Sequence, residues 1–191
     1  MGNPVRQKIL TTAASLLELQ GYHGTGMNQI VEESDTPRGS LYYYFPDGKE
    51  ELASEAVALR MEAMAEYTRQ SLDQFDDPIE AVYALIVEIS ANMAKPNCDT
   101  GAPIAAVALE ASTSSERLRE ACADGYLRLE EAIAAKLASG EFSTEEAASL
   151  ATTIQSGIEG AMIVSRVTRD PEVLVKLANH TKLLLQGTLR A

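Results

Sequence analysis

The sequence contains few of the residues from which metal, redox and catalytic sites are built. It has two cysteines and two histidines in 191 residues, and the spacing of Cys98 and Cys122 matches no zinc motif. His23 and His180 fall in unrelated segments, and the chain has no glycine-rich phosphate loop and no nucleophile elbow. We therefore expect reduced cysteines, no metal site, no cofactor and no catalytic residues.

Long hydrophobic runs are also missing. No apolar run approaches the roughly 18 residues that a membrane-spanning helix needs, and the first residues, MGNPVRQK, lack the apolar region of a signal peptide. A content of 46% hydrophobic and 23% charged residues is ordinary for a globular protein. We expect a cytoplasmic protein without a membrane segment.

An excess of basic residues is absent as well. The formal net charge of −12 argues against a general nucleic-acid-binding protein. The first fifty residues contain four basic and six acidic side chains, a balance of −2, and the rest of the chain carries −10. Any contact with DNA must therefore come from a small local surface, and we expect its non-specific affinity to be modest.

One stretch nevertheless has the pattern of a DNA-reading element. Residues 25–49, TGMNQIVEESDTPRGSLYYYFPDGK, predict a short helix, a tight turn and a second short helix. Asp35 in the turn tolerates a left-handed backbone, while Thr36 is predicted to cap the second helix with Pro37 in its first turn. Two short helices around such a turn form a helix-turn-helix, whose second helix enters the major groove by its N-terminal end.

The beginning of the second helix would present small and cationic groups to DNA. Arg38 can contact a guanine edge or a phosphate, and Gly39 allows the backbone to come close. Hydroxyl groups nearby suit phosphate oxygens, and Lys49 begins the next helix beside exposed N–H groups. The candidate DNA-binding residues are Thr25, Thr36, Pro37, Arg38, Gly39, Ser40, Tyr42, Tyr43 and Lys49. From the residues alone, core packing of the aromatics and a solvated Arg38 remain open as the alternative.

Most of the remaining chain is predicted to form long amphipathic helices. Capping patterns at Asp47 with Glu50, Asp77 with Pro78, Thr113 with Glu116, and Ser143 with Glu146 mark helix starts. The predicted helices cover residues 5–20, 49–75, 78 to about 93, 104–111, 113–139 and 143–169, with a last helix after Asp170 and Pro171.

Several of these features occur together in PRGSLYYYFPDGKEEL, which follows an apolar helix and a Gly-Tyr pair. This run closely resembles the N-terminal DNA-binding domain of TetR-family transcriptional regulators, over roughly the first sixty residues. The Pro-Asp-Gly-Lys corner and the later GAPIAAVALEAS resemble the LmrA/YxaF-like branch of that family. Asp35 stands where many members have glycine, and Tyr43 stands where histidine is common.

The resemblance implies an all-α fold with two domains. An N-terminal three-helix helix-turn-helix domain would comprise residues 1–48, with its motif at about 26–45. Residues 49–191 would form a C-terminal helical ligand-binding and dimerisation domain. Members of the family usually dimerise through their last two long helices, and the continuous apolar stripes of both helices agree with this. The alternative is that both stripes are internal core.

A pocket for a small-molecule effector is a further implication of the resemblance. Methionines and tyrosines of the second domain provide adaptable apolar walls and occasional hydroxyls, which suit planar aromatic or drug-like molecules. Methionines at helical spacing are also common core filler. The candidate ligand-binding residues are Met64, Tyr67, Tyr83, Met93, Ile104, Tyr126, Gln155 and Met162.

These patterns predict a sequence-specific DNA-binding transcriptional regulator. We expect a homodimer that binds a pseudo-palindromic double-stranded operator, with half-sites about 34 Å apart. The resemblance implies a repressor of an efflux or neighbouring gene that a small molecule releases from DNA. The alternative is a helical small-molecule-binding or adaptor protein that does not use DNA.

Overall fold

The computed structural model describes residues 3–95 and 104–190, and within them the regular structure is entirely α-helical. This confirms the predicted all-α fold. The helices in chain order are α1 (Pro4–Gly24), α2 (Met27–Glu33), α3 (Arg38–Tyr44), α4 (Lys49–Leu72), α5 (Pro78–Met93), α6 (Ala105–Ser114), α7 (Glu116–Ala138), α8 (Thr144–Thr168) and α9 (Glu172–Thr188). Within those two ranges, every helix is too short or too polar to cross a lipid bilayer.

The chain divides into two compact units. The first unit comprises Met1–Ala63 and Pro103–Tyr126, and the second comprises Met64–Ala102 and Leu127–Ala191. Helices α4 and α7 each contribute residues to both units. The predicted domain boundary at residue 48 separates DNA binding from ligand binding and dimerisation. It is a division by function, so it stays a prediction.

Helix α1 is broken near its end by a glycine. Asn3 caps its beginning by accepting the Val5 N–H at 2.9 Å. Gly21 has φ 71° and ψ −177°, a conformation open essentially to glycine alone, and one more helical turn follows it. The sequence predicts that this helix stops at Gly21; the backbone does leave the helical conformation there, but the helix resumes up to Gly24. A Cβ atom at Gly21 would lie 2.6 Å from Glu110 Oε1, so the missing side chain also leaves room for that carboxylate.

The turn between α2 and α3 keeps its expected backbone but not its expected cap. Asp35 has φ 46°, which confirms the left-handed turn residue. The cap prediction was wrong, because Pro37 itself occupies the N-cap position. The Thr36 hydroxyl is instead 2.7 Å from the Ser34 hydroxyl inside the turn.

The start of α4 also departs from its predicted cap. The Asp47 N–H donates to the Glu51 carboxylate at 2.9 Å, so Glu51 and not Glu50 closes the first turn. Farther along, the sequence pattern predicts an apolar face through Leu52, Ala56, Leu59, Ala63, Met64 and Tyr67, and the observed buried face is rotated from it. Ala63 and Tyr67 are exposed, because the buried positions follow the true helical period through Leu52, Ala56, Val57, Met61, Ala65 and Leu72.

Helices α6 and α7 meet two residues later than predicted. Thr113 lies within α6, so it cannot begin the next helix. Ser115 takes this role, since its hydroxyl accepts the Leu118 N–H at 3.1 Å. Cys122 on α7 is buried, and burial raises the pKa of its thiol to about 11. Cys98 and residues 96–103 of the predicted loop lie outside the described residues.

The second unit has its core between α5, α8 and α9. Asp77 caps α5 by accepting the N–H groups of Ile79 at 2.7 Å and Glu80 at 3.1 Å, as predicted. Ser143 and Glu146 form the predicted reciprocal capping box at the start of α8. The core side chains include Val82, Leu85 and Ile86 of α5, Ile154 and Ile158 of α8, and Leu174, Ala178 and Leu185 of α9.

Candidate nucleic-acid interface

Helix α3 is held from one side and open on the other. Leu41 and Phe45 are completely buried in the first unit. Arg38 and Gly39 are exposed at the beginning of the helix, and the side chains of Tyr42 and Tyr43 are 47% and 78% exposed. Two buried apolar anchors therefore fix the helix while its guanidinium and phenol groups face solvent.

Gly39 is free of steric constraint from the chain itself. Among the described residues, no atom lies within 4 Å of the position where its Cβ would be. Its φ is not in the left-handed region either, so the fold does not require glycine here. The lack of a side chain therefore leaves the surface of α3 open to close approach by another molecule.

The two threonines among the DNA-binding candidates point inward. Thr25 is 1% exposed and donates its hydroxyl hydrogen bond to the Gly21 carbonyl at 2.7 Å. Thr36 is 9% exposed and is bonded to Ser34. Both hydroxyls stabilise the ends of α1 and α2, and the structure does not bring them onto the exposed face of α3.

Lys49 is partly engaged by its own unit. Its Nζ atom lies 4.4 Å from the centre of the Tyr22 ring, a cation–π contact. Desolvation by burial lowers the pKa of Lys49, and the negative charge of Glu110 opposes that effect. Lys49 is the first residue of α4, and its cation is held against the Tyr22 ring.

Two other cations of the first unit come from α1. Arg6 forms an ion pair with Glu55, and its guanidinium lies 5.2 Å from the centre of the Phe45 ring. Lys8 is more open, with its Nζ 3.7 Å from the Asp35 carboxylate. Arg6 thus has a packing role, while Lys8 forms only a loose surface pair.

Sequence reasoning missed a set of polar contacts from α6 and the start of α7 to the end of α1 and the start of α4. The Glu110 carboxylate accepts the His23 N–H at 2.8 Å. Arg117 lies 3.2 Å from the Asp47 carboxylate, and the Ser115 hydroxyl donates to Glu50. These are ordinary surface residue types 65 to 87 positions away from their partners, so no local pattern indicates them.

The eight ligand-binding candidates are distributed over both units. Ile104 and Tyr126 belong to the first unit, and the second contains Met64, Tyr67, Tyr83, Met93, Gln155 and Met162. Gln155 is buried, and the Tyr67 hydroxyl accepts a hydrogen bond from the Asn92 amide at 3.1 Å. Desolvation, and then the neighbouring Glu88, raise the pKa of Tyr67 to about 12.

Two cavities of the second unit have other linings. One of about 470 Å³ lies between α4 and α7 near Arg69 and Lys136, and one of about 590 Å³ lies beside Glu146 and Thr188. In the part of the chain that the structure describes, neither cavity is lined by any of the eight candidates. The ligand-binding assignment of these residues therefore stays a prediction.

Both regions of the chain match known families. Residues 9–56 match the model for bacterial regulatory proteins of the tetR family, and residues 78–180 match the C-terminal domain of LmrA/YxaF-like transcriptional regulators. The chain belongs to the TetR family of transcriptional regulators. The family and the branch predicted from the sequence are both confirmed.

Relatives in Bacillus subtilis (strain 168) extend the similarity over almost the whole chain. The chain is 40% identical over 181 residues to the uncharacterized HTH-type transcriptional regulator YxaF, covering 95% of each chain. It is 38% identical over 185 residues to the HTH-type transcriptional regulator LmrA, covering 95% of this chain and 96% of LmrA. Both relatives are named as transcriptional regulators rather than enzymes, in line with the TetR family.

Solved TetR-type structures share the fold. The reduced form of E. coli NemR superposes with a TM-score of 0.85 at 21% identity, covering 94% of this chain and 96% of NemR. A cysteine mutant of the TetR family regulator CifR, bound to a 26 bp double-strand operator DNA, gives 0.78 at 22% identity, covering 92% and 94%. As a TetR-family member the protein is a DNA-binding helix-turn-helix transcriptional regulator, which does not favour the alternative of an adaptor that does not use DNA.

Proposed function

We propose that this TetR-family regulator is a cytoplasmic repressor that binds a pseudo-palindromic operator through α3 of two protomers. The observation that carries the proposal is the exposed polar face of α3 over its buried anchors Leu41 and Phe45. A helix fixed in this way can enter a major groove without rearranging the core of its unit. The net charge of −12 agrees with binding through a small surface rather than a broad basic one.

Each exposed residue has a specific part in the proposed contact. Arg38 reads a base edge or anchors a phosphate at the N-terminal end of α3, and Gly39 lets the helix backbone approach. The hydroxyls of Ser40, Tyr42 and Tyr43 bind phosphate oxygens and fix the position of the helix along the duplex.

Two residues that flank α3 complete the proposed contact. Lys49, held by Tyr22, adds a cation at the start of α4, where the N–H groups of the first turn also favour a phosphate. Pro37 fixes the backbone that leads into α3.

Dimerisation through α8 and α9 is part of the proposal. These helices leave large apolar side chains in solvent, namely Ile163, Val164, Val167, Leu183 and Leu184. The opposite faces of α8 and α9 are buried against α5 and against each other. The exposed apolar side chains are therefore not needed for the internal core. A second copy would bury the exposed side chains in a four-helix arrangement. One face of each helix thus belongs to the internal core, and the opposite face supports the proposed dimer interface.

We further propose that a planar aromatic or drug-like molecule releases the repressor from its operator. The methionines and tyrosines among the ligand-binding candidates suit such a molecule. Release would follow if the ligand favours a conformation whose two α3 helices no longer fit successive major grooves. The resemblance to the LmrA/YxaF-like branch supports control of an efflux or neighbouring gene.

The Arg38→Ala variant tests the DNA contact. We expect its affinity for duplex DNA from upstream of its own gene to fall by about 5- to 150-fold, the value of one good bidentate base contact. Fluorescence anisotropy measures the affinity, while circular dichroism and sedimentation velocity check that helicity and assembly are unchanged. Arg119→Ala is the matched control, because it removes an equal charge from an exposed ion pair on α7. Unchanged affinity of Arg38→Ala would remove Arg38 from the reading role.

A further inference from the structure

An acidic residue stands in the turn that leads into the DNA-reading helix. The Asp35 side chain is 96% exposed and its carboxylate lies 3.7 Å from Lys8 Nζ on α1, which is itself 52% exposed. Asp35 precedes Arg38 by three residues, a chain distance of at most about 11 Å. This is comparable with the Debye length of about 10 Å at 0.1 M salt, so a phosphate beside Arg38 lies within reach of the carboxylate's field.

Several other acidic residues of the first unit are engaged differently. Glu18 pairs with Arg60, Asp47 lies beside Arg117 and Glu50 is bonded to Ser115, so the partners of these three lie outside α2 and α3. Glu33 at the end of α2 accepts a hydrogen bond from Gln29 of the same helix at 2.9 Å. Asp35, in contrast, neighbours the half-exposed Lys8 in the first half of α1. An exposed pair at this separation is weak and is screened by salt, so Lys8 can leave it for a phosphate.

The backbone does not require a carboxylate in the turn. Asp35 is in the left-handed region with φ 46°, where glycine, asparagine and aspartate are all tolerated. Within the described residues, the Asp35 carboxylate makes no hydrogen bond to the turn, and its contact is the ion pair with Lys8. The turn therefore does not need the negative charge for its geometry. The charge instead acts on molecules that approach α3.

We propose that Asp35 lowers the affinity of this regulator for all DNA by repelling phosphates and by keeping Lys8 from them. The inference rests on the proposed contact of α3 with the operator. Non-specific affinity depends on the number of phosphates that the protein neutralises and not on base sequence. A regulator with less of this affinity spends less time on the many competing genomic sites. By lowering non-specific affinity, Asp35 and Lys8 together make binding to the operator depend more on base recognition by α3.

Four proteins test the pairing: the wild type, Asp35→Asn, Lys8→Gln and the double variant. Asparagine keeps the shape and the left-handed backbone, so the fold is preserved, and thermal melting checks this. For a mixed-sequence duplex at 50 mM salt, we expect Asp35→Asn to bind about two- to five-fold more tightly than the wild type. Its plot of log affinity against log salt should steepen by about 0.9, the value for one more neutralised phosphate. Lys8→Gln should have little effect alone and should cancel most of the gain in the double variant.

A control separates the local effect from total charge. Glu141→Gln removes one negative charge from an exposed turn residue of the second unit. An equal gain in affinity from this variant would overturn the inference, as would an effect of Lys8→Gln that is the same in both backgrounds. These results differ from failure of the proposed function, in which the wild type would bind no duplex from upstream of its gene at any salt concentration.

Discussion

Gly21 shows how a single residue determines the local shape of the first unit. Its backbone conformation breaks α1, and the space beside its Cα is occupied by the Glu110 carboxylate. The same carboxylate accepts the His23 N–H in the turn that follows. A side chain at Gly21 would strain the backbone and also displace this acceptor.

We expect Gly21→Ala to lower the free energy of unfolding by about 1–3 kcal/mol, the usual cost of forcing a non-glycine residue into such a conformation. Urea denaturation followed by circular dichroism gives the value. Gly39→Ala is the matched control, since alanine there meets no described atom and should be neutral or slightly stabilising. Equal free energies for the two variants would contradict this account of Gly21.

Residue-level expectations succeeded where a local rule decides the conformation. The break at Gly21 and the left-handed Asp35 follow from the backbone freedom of glycine and aspartate. The partner of Gly21 could not be predicted, because Glu110 lies 89 positions away and only packing of α6 on α1 brings it there. The same holds for the burial of Thr25 and Thr36, whose hydroxyls suit DNA contact equally well in the sequence.

At the scale of elements, the helix starts separate into two groups. Asp77 and Ser143 cap the predicted helices, since each has one suitable side chain at the right separation from the first free N–H groups. Elsewhere, residues one or two positions apart compete for the same role. Pro37 replaces Thr36, Glu51 replaces Glu50, and Ser115 replaces Thr113. The existence of the helices was therefore predictable, while the choice among neighbouring caps depends on surrounding contacts.

The cap of α5 can be tested directly. We expect Asp77→Ala to lower the free energy of unfolding by about 1 kcal/mol, because two N–H groups at the start of the helix lose their acceptor. Chemical denaturation measures the loss. Asp76→Ala serves as the control, as it removes a neighbouring exposed carboxylate that lies one residue before the cap. If both variants lose the same amount, electrostatics rather than capping accounts for the effect.

For the molecule as a whole, fold class and family were accessible from sequence because they depend on helical periodicity and on one distinctive motif. The residues that line a ligand pocket could not be predicted from sequence, since they depend on how several helices are oriented against each other. Tyr67 illustrates the difficulty: the apolar period placed it inward on α4, whereas its ring is 40% exposed and its hydroxyl bonds to Asn92.

The proposed dimer leads to a test at the same scale. Val167→Glu and Leu183→Glu each place a charge in the exposed apolar surface of α8 and α9, where the wild-type side chains are 79% and 64% exposed. We expect both variants to sediment as monomers with unchanged helicity, because a charge buried without a partner opposes association. Operator affinity should fall with them, since one protomer reads only one half-site.

Leu19→Glu provides the matched control, because it makes the same change at an exposed leucine on α1, outside the proposed dimer surface. Its assembly should match that of the wild type. Dimers of normal strength in both Val167→Glu and Leu183→Glu would show that this surface is not the interface.

The exposed apolar side chains of α8 and α9 also connect folding with abundance. Under the proposed arrangement, each copy hides hydrophobic area that its partner would otherwise leave in water, so dilution weakens the native state itself and not only assembly. A cell with very few copies would hold a protomer that is both less able to grip two half-sites and more open to proteolysis. The fraction of folded, dimeric regulator would then depend on its own concentration, even without an effector.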